Sequence, residues 1–177
     1  MPALRTLLTG FICACTLLGC KSNRKPPIDP ATLQTPAAEA VIRYMVEHCP
    51  KKSEARLAVI GIGEFLSAPS QEFVDKFANI QGLTFIDHGR VVAGMIQGMS
   101  RRFDSVSSEA VLEFQMGSLT EEKNGTQVAM AAWAYKDDAG RKRLEVKANA
   151  GGGYDIREIE DIPVPHRNAE PNRAPAQ

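Results

Sequence analysis

The sequence has few of the side chains that usually build reactive centres. Three histidines and four cysteines occur among its 177 residues. No cysteine or carboxylate stands at metal-ligand spacing from His48, His88 or His166, so we expect no metal ion and no cofactor. Lysine plus arginine and aspartate plus glutamate number 21 each, and this balance creates no field that would attract nucleic acid. Metalloenzymes and nucleic-acid-binding proteins are therefore disfavoured.

Long apolar stretches are also scarce, and the most informative one lies at the start of the chain. Arg5 precedes an apolar run from Leu7 to Leu18, which is shorter than the ~20 residues that span a bilayer. A short basic start followed by such a run is typical of a secretory signal peptide. A buried helix or a retained membrane anchor is the alternative, but Pro26 and Pro27 follow too closely for a helix to continue. We expect this segment to be cleaved from an exported chain.

The apolar run ends in Leu17-Leu18-Gly19-Cys20, which resembles the lipobox of bacterial lipoproteins at every position. The resemblance implies that the chain is cut before Cys20 and that acyl chains on this cysteine hold the protein on a membrane. Each buried methylene contributes roughly 0.8 kcal/mol, so several acyl chains make the attachment effectively permanent. Lys21 stands where aspartate commonly retains such proteins in the inner membrane, which favours the outer membrane. We therefore expect a lipid-anchored protein of the bacterial cell envelope that faces the periplasm.

Processing at this site would leave one thiol in the mature chain. Cys13 and Cys15 depart with the signal peptide and Cys20 is acylated, so Cys49 has no partner for an internal disulfide. Cys49 is then an inert buried thiol, part of an intermolecular disulfide, or a nucleophile beside His48. Neighbours in sequence on a helix point in different directions, so this adjacency gives no proton-transfer geometry. The inert thiol is favoured.

Composition divides the chain into a signal peptide, a tether, one domain and a tail. Residues 1–19 are the signal peptide, and residues 20–35 comprise the lipidated cysteine and a proline-rich tether that stays extended and solvated. Residues 164–177 have too little apolar surface to fold and are expected to form a disordered tail. The intervening residues 36–163 suit a single domain, since domains usually run ~100–150 residues.

The first half of this domain alternates between helical and extended patterns. Apolar residues at i, i+4 spacing predict a helix over 36–48. The β-branched run 57–62 predicts a strand that is buried on both faces. A second helix is predicted over 70–77 and a short strand over 83–86, whereas 90–103 fits a kinked strand as well as a loop.

The second half of the domain predicts an antiparallel meander. Four alternating runs follow residue 104, and three turn signals separate them, at 123–125, 137–140 and 151–153. Helices that come first and a meander that comes last indicate an α+β domain. We expect both helices to pack on one face of a curved, mostly antiparallel sheet that ends in the four-strand meander.

The last predicted strand follows a glycine turn and reads Gly152-Gly153-Tyr154-Asp155-Ile156-Arg157. It is similar to the closing strand of the nuclear-transport-factor-2-like superfamily, and the order of helix, strand, helix and antiparallel strands extends the resemblance over residues 36–162. The resemblance implies a cone-shaped α+β fold in which the concave face of the sheet holds a ligand.

Two sets of residues are candidates for a site. Trp133 and Tyr135 share one face of the central predicted strand, with Tyr154 near, and they either line a pocket or fill the space beneath the helices. Asp87 and His88 follow a strand end, where they are either an acid beside a base or simply the polar residues of a turn.

Two functions are compatible with these patterns. The favoured one is a small non-enzymatic domain that binds an envelope protein partner or a ligand, because the titratable residues form no constellation. The alternative is a cone-fold pocket enzyme or carrier in which the candidate residues handle a small molecule. An open pocket that joins those residues supports the alternative, whereas a space filled by Phe73, Phe77 and Phe114 supports the binding domain.

Overall fold

Among the residues that the structure describes, six of the eight strands form one mixed sheet, and the other two form a separate hairpin. The computed structural model describes residues 29–63, 66–96 and 99–162, so Cys20, the predicted signal peptide and the predicted tail lie outside the described residues. The described part is an α+β domain with two α-helices, in agreement with the predicted fold class. Its elements are α1 (Pro36–Glu47), β1 (Leu57–Ile62), α2 (Gln71–Asp75), β2 (Thr84–Phe85), β3 (Val91–Ile96), β4 (Met99–Asp104), β5 (Val111–Glu121), β6 (Thr126–Tyr135), β7 (Asp138–Ala148) and β8 (Tyr154–Ile162).

The large sheet has the strand order β2-β1-β5-β6-β7-β8. Its second half is the predicted meander, because β5 to β8 pair antiparallel in sequence order. Strand β1 pairs in parallel with both β2 and β5, which the sequence did not predict. A parallel pair needs a crossover connection, and α2 lies in the one between β1 and β2. With a strand on each side, β1 is buried from Ala58 to Ile62, as its apolar run predicts.

Helix α1 covers one face of the meander and begins at a capped end. The Thr35 hydroxyl accepts a hydrogen bond from the Ala38 N–H at 3.2 Å, and Pro36 occupies the first turn, where its missing N–H is not needed. Four apolar side chains at helical spacing are buried between the helix and strands β5 to β8: Val41, Ile42, Met45 and Val46. The helix is therefore held mainly by its apolar stripe.

The main core lies between the helices and one face of the sheet. Phe73 of α2 and Phe77 just after it pack edge to face, with ring centroids 5.4 Å apart, and both join the buried residues of α1 in one cluster. Both helices thus contribute to the same core, as predicted. We call this sheet face the helix side, and on β5 and β6 it consists of Leu112, Phe114, Met116, Ala129, Ala131, Trp133 and Tyr135.

The domain begins earlier than the predicted boundary at residue 36. Pro30–Leu33 form a 3₁₀ turn capped by Asp29, whose carboxylate accepts a hydrogen bond from the Ala31 N–H at 3.0 Å. Leu33 is 3% exposed and belongs to the main core. Residues 29–35 therefore belong to the domain and not to the tether, because burial of one leucine draws this proline-containing segment onto the core.

Residues 90–103, for which the sequence allowed a kinked strand or a loop, form most of the hairpin β3–β4. The hairpin packs near the β1 end of the sheet, where Leu57 and Val91 contact a second, smaller apolar cluster. That cluster consists of Val59, Ile86 and Val111. Two ion pairs connect the hairpin to the large sheet and to its β6–β7 turn: Arg102–Glu113 and Arg101–Asp137.

An ion pair between half-exposed Arg90 and buried Asp104 closes the base of this hairpin. Asp104 is fully buried, and the Arg90 guanidinium donates to its two carboxylate oxygens at 2.9 and 2.7 Å. The backbone N–H and the hydroxyl of Ser107 donate to Asp104 Oδ2 at 2.9 and 2.8 Å. The hydrogen bonds from Arg90 hold the pKa of Asp104 well below its usual range, although burial acts in the opposite direction. These bonds fix the end of β4.

The turn between β6 and β7 is tighter than the sequence predicts. Lys136 has a φ of 52° and forms a two-residue connection with Asp137, so Gly140 already belongs to β7. Gly140 lies directly opposite Trp133, and a Cβ atom at position 140 would stand 2.4 Å from Trp133 Nε1. The glycine therefore serves close packing of a buried indole and not the turn itself.

Candidate functional site

The three aromatic residues considered for a pocket lie in or against the main core. Trp133 and Tyr135 are 7% and 5% exposed, and Tyr154 is half-buried and packs against the same cluster. The Tyr135 hydroxyl donates a hydrogen bond to the Glu54 carbonyl oxygen at 2.9 Å, which satisfies the polar end of this side chain without a ligand. The structure thus places all three on the helix side, in packing positions.

The space beneath the helices is occupied by side chains. Phe73, Phe77 and Phe114 are 2%, 0% and 1% exposed. The Phe77 ring also contacts Phe85 of β2, with centroids 5.5 Å apart. This filling is the arrangement that the sequence analysis associates with a binding domain and not with a cone-shaped pocket.

Asp87 and His88 lie at a turn that is distant from the aromatic residues. Asp87 Oδ1 accepts a hydrogen bond from the Gly89 N–H at 2.6 Å and caps a 3₁₀ turn over His88–Arg90. This turn follows β2 at one edge of the sheet, whereas Trp133 lies on β6, separated from β2 by β1 and β5. Three strand spacings amount to roughly 14 Å, so the structure does not bring these residues into one site.

A groove lies on the sheet face opposite the helix side. Three adjoining cavities of about 150, 330 and 420 Å³ form it. The first two cavities share Gln115, Ala132 and Arg141, and the last two share Ser118 and Met130. The groove therefore follows strand β6, with β5 along one wall and β7 along the other.

The floor of the groove consists of small and apolar residues. Every second residue of β6 faces away from the helix side, and these residues define what we call the open side: Val128, Met130, Ala132 and Ala134. Val128 is buried, Met130 and Ala132 are half-buried, and Ala134 is exposed. The hairpin lies on this same face beside β1 and β5, and the Arg101–Asp137 ion pair ties it to the β6–β7 turn, while Met130 and Ala132 stay half-buried.

The β5 wall of the groove carries polar side chains that already have partners. Glu113 Oε2 accepts a hydrogen bond from Arg102 Nε at 3.3 Å. The Gln115 side-chain amide donates a hydrogen bond to the Gly63 carbonyl oxygen at 3.1 Å. These bonds hold the wall in a fixed position beside Ala132.

The β7 wall carries two arginines with different surroundings. Arg143 Nη2 lies 3.8 Å from Glu122 Oε1, a weak and exposed ion pair. Arg141 is exposed and lies directly opposite Ala132, and it forms no ion pair with any residue that the structure describes. Its guanidinium is therefore available to an anionic group of a bound molecule.

This set of side chains suits binding better than catalysis. No histidine or cysteine lines the three described cavities, and the carboxylate of Glu113 is engaged by Arg102. Within the described ranges, no group of three or more histidine, cysteine, aspartate or glutamate side chains could hold a metal ion. The groove thus combines an apolar floor with one available cation and with hydrogen-bonding groups on its β5 wall.

Cys49 occupies a packing position. It is 6% exposed, and burial raises the pKa of its thiol, which favours the protonated and unreactive form. The neighbouring His48 is exposed, and its Nδ1 lies 2.9 Å from the Tyr44 carbonyl oxygen, so this nitrogen points back along α1. The geometry gives no support to a nucleophile pair.

The sequence analysis missed the groove, although a signal for it exists. Residues 128–135 are apolar on both faces of the strand, whereas the next strand carries Arg141, Arg143 and Glu145 on one face. A strand that is apolar on both faces beside a strand that is polar on one face indicates an apolar stripe on a solvated surface.

Comparisons with protein-family models, with curated proteins and with solved structures find no match to this chain. The likeness to bacterial lipoproteins and to the nuclear-transport-factor-2-like superfamily therefore stays a prediction from the residues quoted above. Among the described residues, no helix is both long enough and apolar enough to cross a membrane.

Proposed function

We propose that this chain is a lipid-anchored cell-envelope protein whose domain binds a partner through the groove on the open side. Acyl chains on Cys20 would hold it on the outer membrane with the domain in the periplasm. The observation that carries the binding role is the apolar stripe along β6, which is half-buried at Met130 and Ala132 and exposed at Ala134. A domain that tethers and binds, without chemistry of its own, fits the side chains in the groove.

The apolar stripe supports a docking role because it lies between two polar strands on a solvent-accessible face of the sheet. Exposed apolar patches with a polar rim usually mark an interaction site. Here Met130, Ala132 and Ala134 form the patch, and Glu113, Gln115 and Arg141 form the rim.

The alternative function is a carrier for a small molecule. The 330 and 420 Å³ cavities are as large as small-ligand pockets, which occupy ~300–1,000 Å³. Those pockets are usually enclosed, however, whereas this groove is floored by a single sheet face. Asp87 and His88 lie elsewhere, so an enzymatic version of this alternative has no named acid or base.

The distance from the anchor restricts where a partner could lie. Nine residue-to-residue steps separate Cys20 from Asp29, the first described residue, and a fully extended chain spans at most about 3.6 Å per step. The start of the domain therefore stays within about 30 Å of the acylated cysteine. A partner would be another protein at the same membrane surface, or one that approaches it closely.

The address is tested by metabolic labelling with palmitate. Wild-type protein should incorporate label and fractionate with the envelope, and Cys20→Ser should lose the label and remain unprocessed. Cys49→Ser is the matched control and should behave as wild type. A Cys20→Ser protein that is still processed and labelled would refute lipid attachment at this residue.

The binding surface is tested by photo-crosslinking in intact cells. A benzophenone amino acid at Thr120, which lines the end of the groove, should crosslink the anchored protein to a discrete envelope protein. Ala132→Trp should abolish the crosslink because it fills the middle of the groove. The same crosslinker at exposed Ala78, beyond α2, should give no such product. A Thr120 crosslink that is indifferent to Ala132→Trp would remove the groove from the proposal.

A further inference from the structure

The length and shape of the groove fit an extended chain. Its floor runs from Val128 to Ala134, and six strand steps of about 3.3 Å give a length of about 20 Å. Two walls, β5 and β7, border this line along its whole length. Alternate side chains of an extended peptide repeat at about 6.6 Å, which matches the spacing of Met130, Ala132 and Ala134 along β6.

The charges of the groove specify what kind of chain fits. Gln115, Ala132 and Arg141 stand side by side across β5, β6 and β7. Directly opposite residues share a face and have Cβ atoms roughly 5 Å apart, so the short Ala132 side chain leaves a gap between the two long ones. Arg141 borders this gap with a cation that has no ion-pair partner among the described residues. The remaining floor positions are apolar, and the carboxylates of Glu122 and Glu160 line only the far end of the groove, beyond Met130.

We propose that the groove binds an extended peptide segment of an envelope protein that places one carboxylate side chain against Arg141. The neighbouring groove-facing side chains of that segment are small or apolar and contact Met130 and Ala134. An arginine–carboxylate pair is directional and strong for a surface contact, so it sets the register of the bound segment. This inference rests on the proposed function, and it names the partner chemistry of the same groove.

The chain's own C-terminal segment is a poorer occupant. This segment follows Ile162, the last residue of β8. Ile162 lies opposite Arg141 of β7, so the segment starts close to the groove. Residues 163–177 contain Arg167 and Arg173 but one carboxylate side chain, Glu170. Beside Arg141 itself, the two arginines of this segment fit less well than a carboxylate of another protein, although Glu122 and Glu160 line the far end of the groove.

The test is a selection of random heptapeptides, displayed on phage, with the mature full-length protein in detergent micelles as bait. Peptides selected on the wild type should share an aspartate or glutamate flanked at i±2 by small or apolar residues. Arg141→Glu should weaken the selected peptides by tenfold or more and should instead select lysine or arginine at that position. Arg56→Glu makes the same charge change at an exposed site before β1, and it should leave binding unchanged.

Each other outcome overturns the inference, and two variants separate it from the proposed function. Peptides that lose binding with Ala132→Trp but carry no shared carboxylate, or that ignore Arg141→Glu, keep the groove as a binding surface and refute its acidic ligand. If no selected peptide responds to Ala132→Trp, the groove itself is refuted as a docking site. A synthetic peptide of residues 163–177 that displaces the selected peptides with equal affinity assigns the groove to the chain's own tail.

Discussion

The two faces of the large sheet have similar apolar residues on β6 but opposite surroundings. On the helix side, Trp133 and Tyr135 lie beneath α1 and beside the phenylalanine rings of the main core. On the open side, Met130 and Ala132 of the same strand line a solvent-accessible groove. Apolar residues on both faces of a strand therefore indicate two apolar surfaces. The tertiary structure determines which of the two is buried within the domain.

The largest expected contrast between the faces is in stability. Phe114→Ala on the helix side should lower the free energy of unfolding by about 3–5 kcal/mol, because it leaves a cavity in a closed core. Met130→Ala on the open side should cost about 1 kcal/mol or less, because solvent already reaches this side chain. Urea denaturation measures both values. Equal losses would mean that Met130 is packed as tightly as the core, and the contrast would disappear.

The next effect concerns the hairpin near the β1 end of the sheet. Because the pKa of Asp104 is lowered in the folded state, its ionised form stabilises the fold above about pH 4, the unfolded value, and this contribution is lost as pH falls. Asp104→Asn should unfold at lower temperature than wild type at pH 7, and the gap should narrow toward pH 2. Asp161→Asn, at an exposed position, is the control and should show little change at pH 7. A gap that is constant with pH would contradict the ion pair.

A smaller effect is expected where the helix side packs against β7. Gly140→Ala should destabilise the domain by about 1–3 kcal/mol, because the new methyl group overlaps the Trp133 indole. Gly151→Ala is the matched control, since its Cβ would meet only Asn149 Oδ1 at 3.4 Å. Thermal unfolding monitored by tryptophan fluorescence reports both. A neutral Gly140→Ala would show that Trp133 moves freely, as a pocket residue would.

The smallest effect distinguishes a packing role of Tyr135 from a ligand-binding role. Tyr135→Phe removes the hydrogen bond to the Glu54 carbonyl and should cost about 0.5–1.5 kcal/mol of stability. Tyr154→Phe, at the half-buried aromatic position on β8, should cost less. Peptides selected on the groove should bind the Tyr135→Phe variant as they bind wild type. If Tyr135→Phe lost peptide binding without losing stability, the binding site would lie on the helix side and not in the groove.

Local patterns predicted those parts of the fold that local sequence determines. The stripe of Val41 and Met45 identified α1, and the β-branched run Leu57–Ile62 identified β1 with both faces buried. The turn signals identified the meander, although the connection after Tyr135 is shorter than predicted. Each of these features depends on residues close together in the sequence, and so each is visible without tertiary structure.

The features that escaped prediction depend on contacts between distant residues. The parallel pairing of β1 with β5 joins Leu57 to Val111, and no local pattern specifies that partner. The position of the hairpin β3–β4 depends on the contact of Val91 with the second apolar cluster and on the Arg102–Glu113 ion pair, which form only in the folded domain. The groove exists because solvent still reaches Ala132 in the folded domain. The sequence alone does not show which parts of a strand remain accessible to solvent. For the same reason, the sequence leaves open whether Trp133 and Tyr135 line a pocket or fill the core, and the folded domain buries both in the core.

The most direct test of a partner-binding groove compares the solvent accessibility of Ala132 in the purified protein and in intact cells. Cysteine is introduced at Ala132, or at exposed Ala78 as a reference, and its reaction rate with a membrane-permeant maleimide is measured; buried Cys49 should react slowly in every sample. The account predicts that Ala132→Cys reacts readily in the purified protein and is protected in intact cells relative to Ala78→Cys. Equal reactivity of the two sites in cells, or slow reaction at position 132 in the purified protein, would contradict a partner-binding groove.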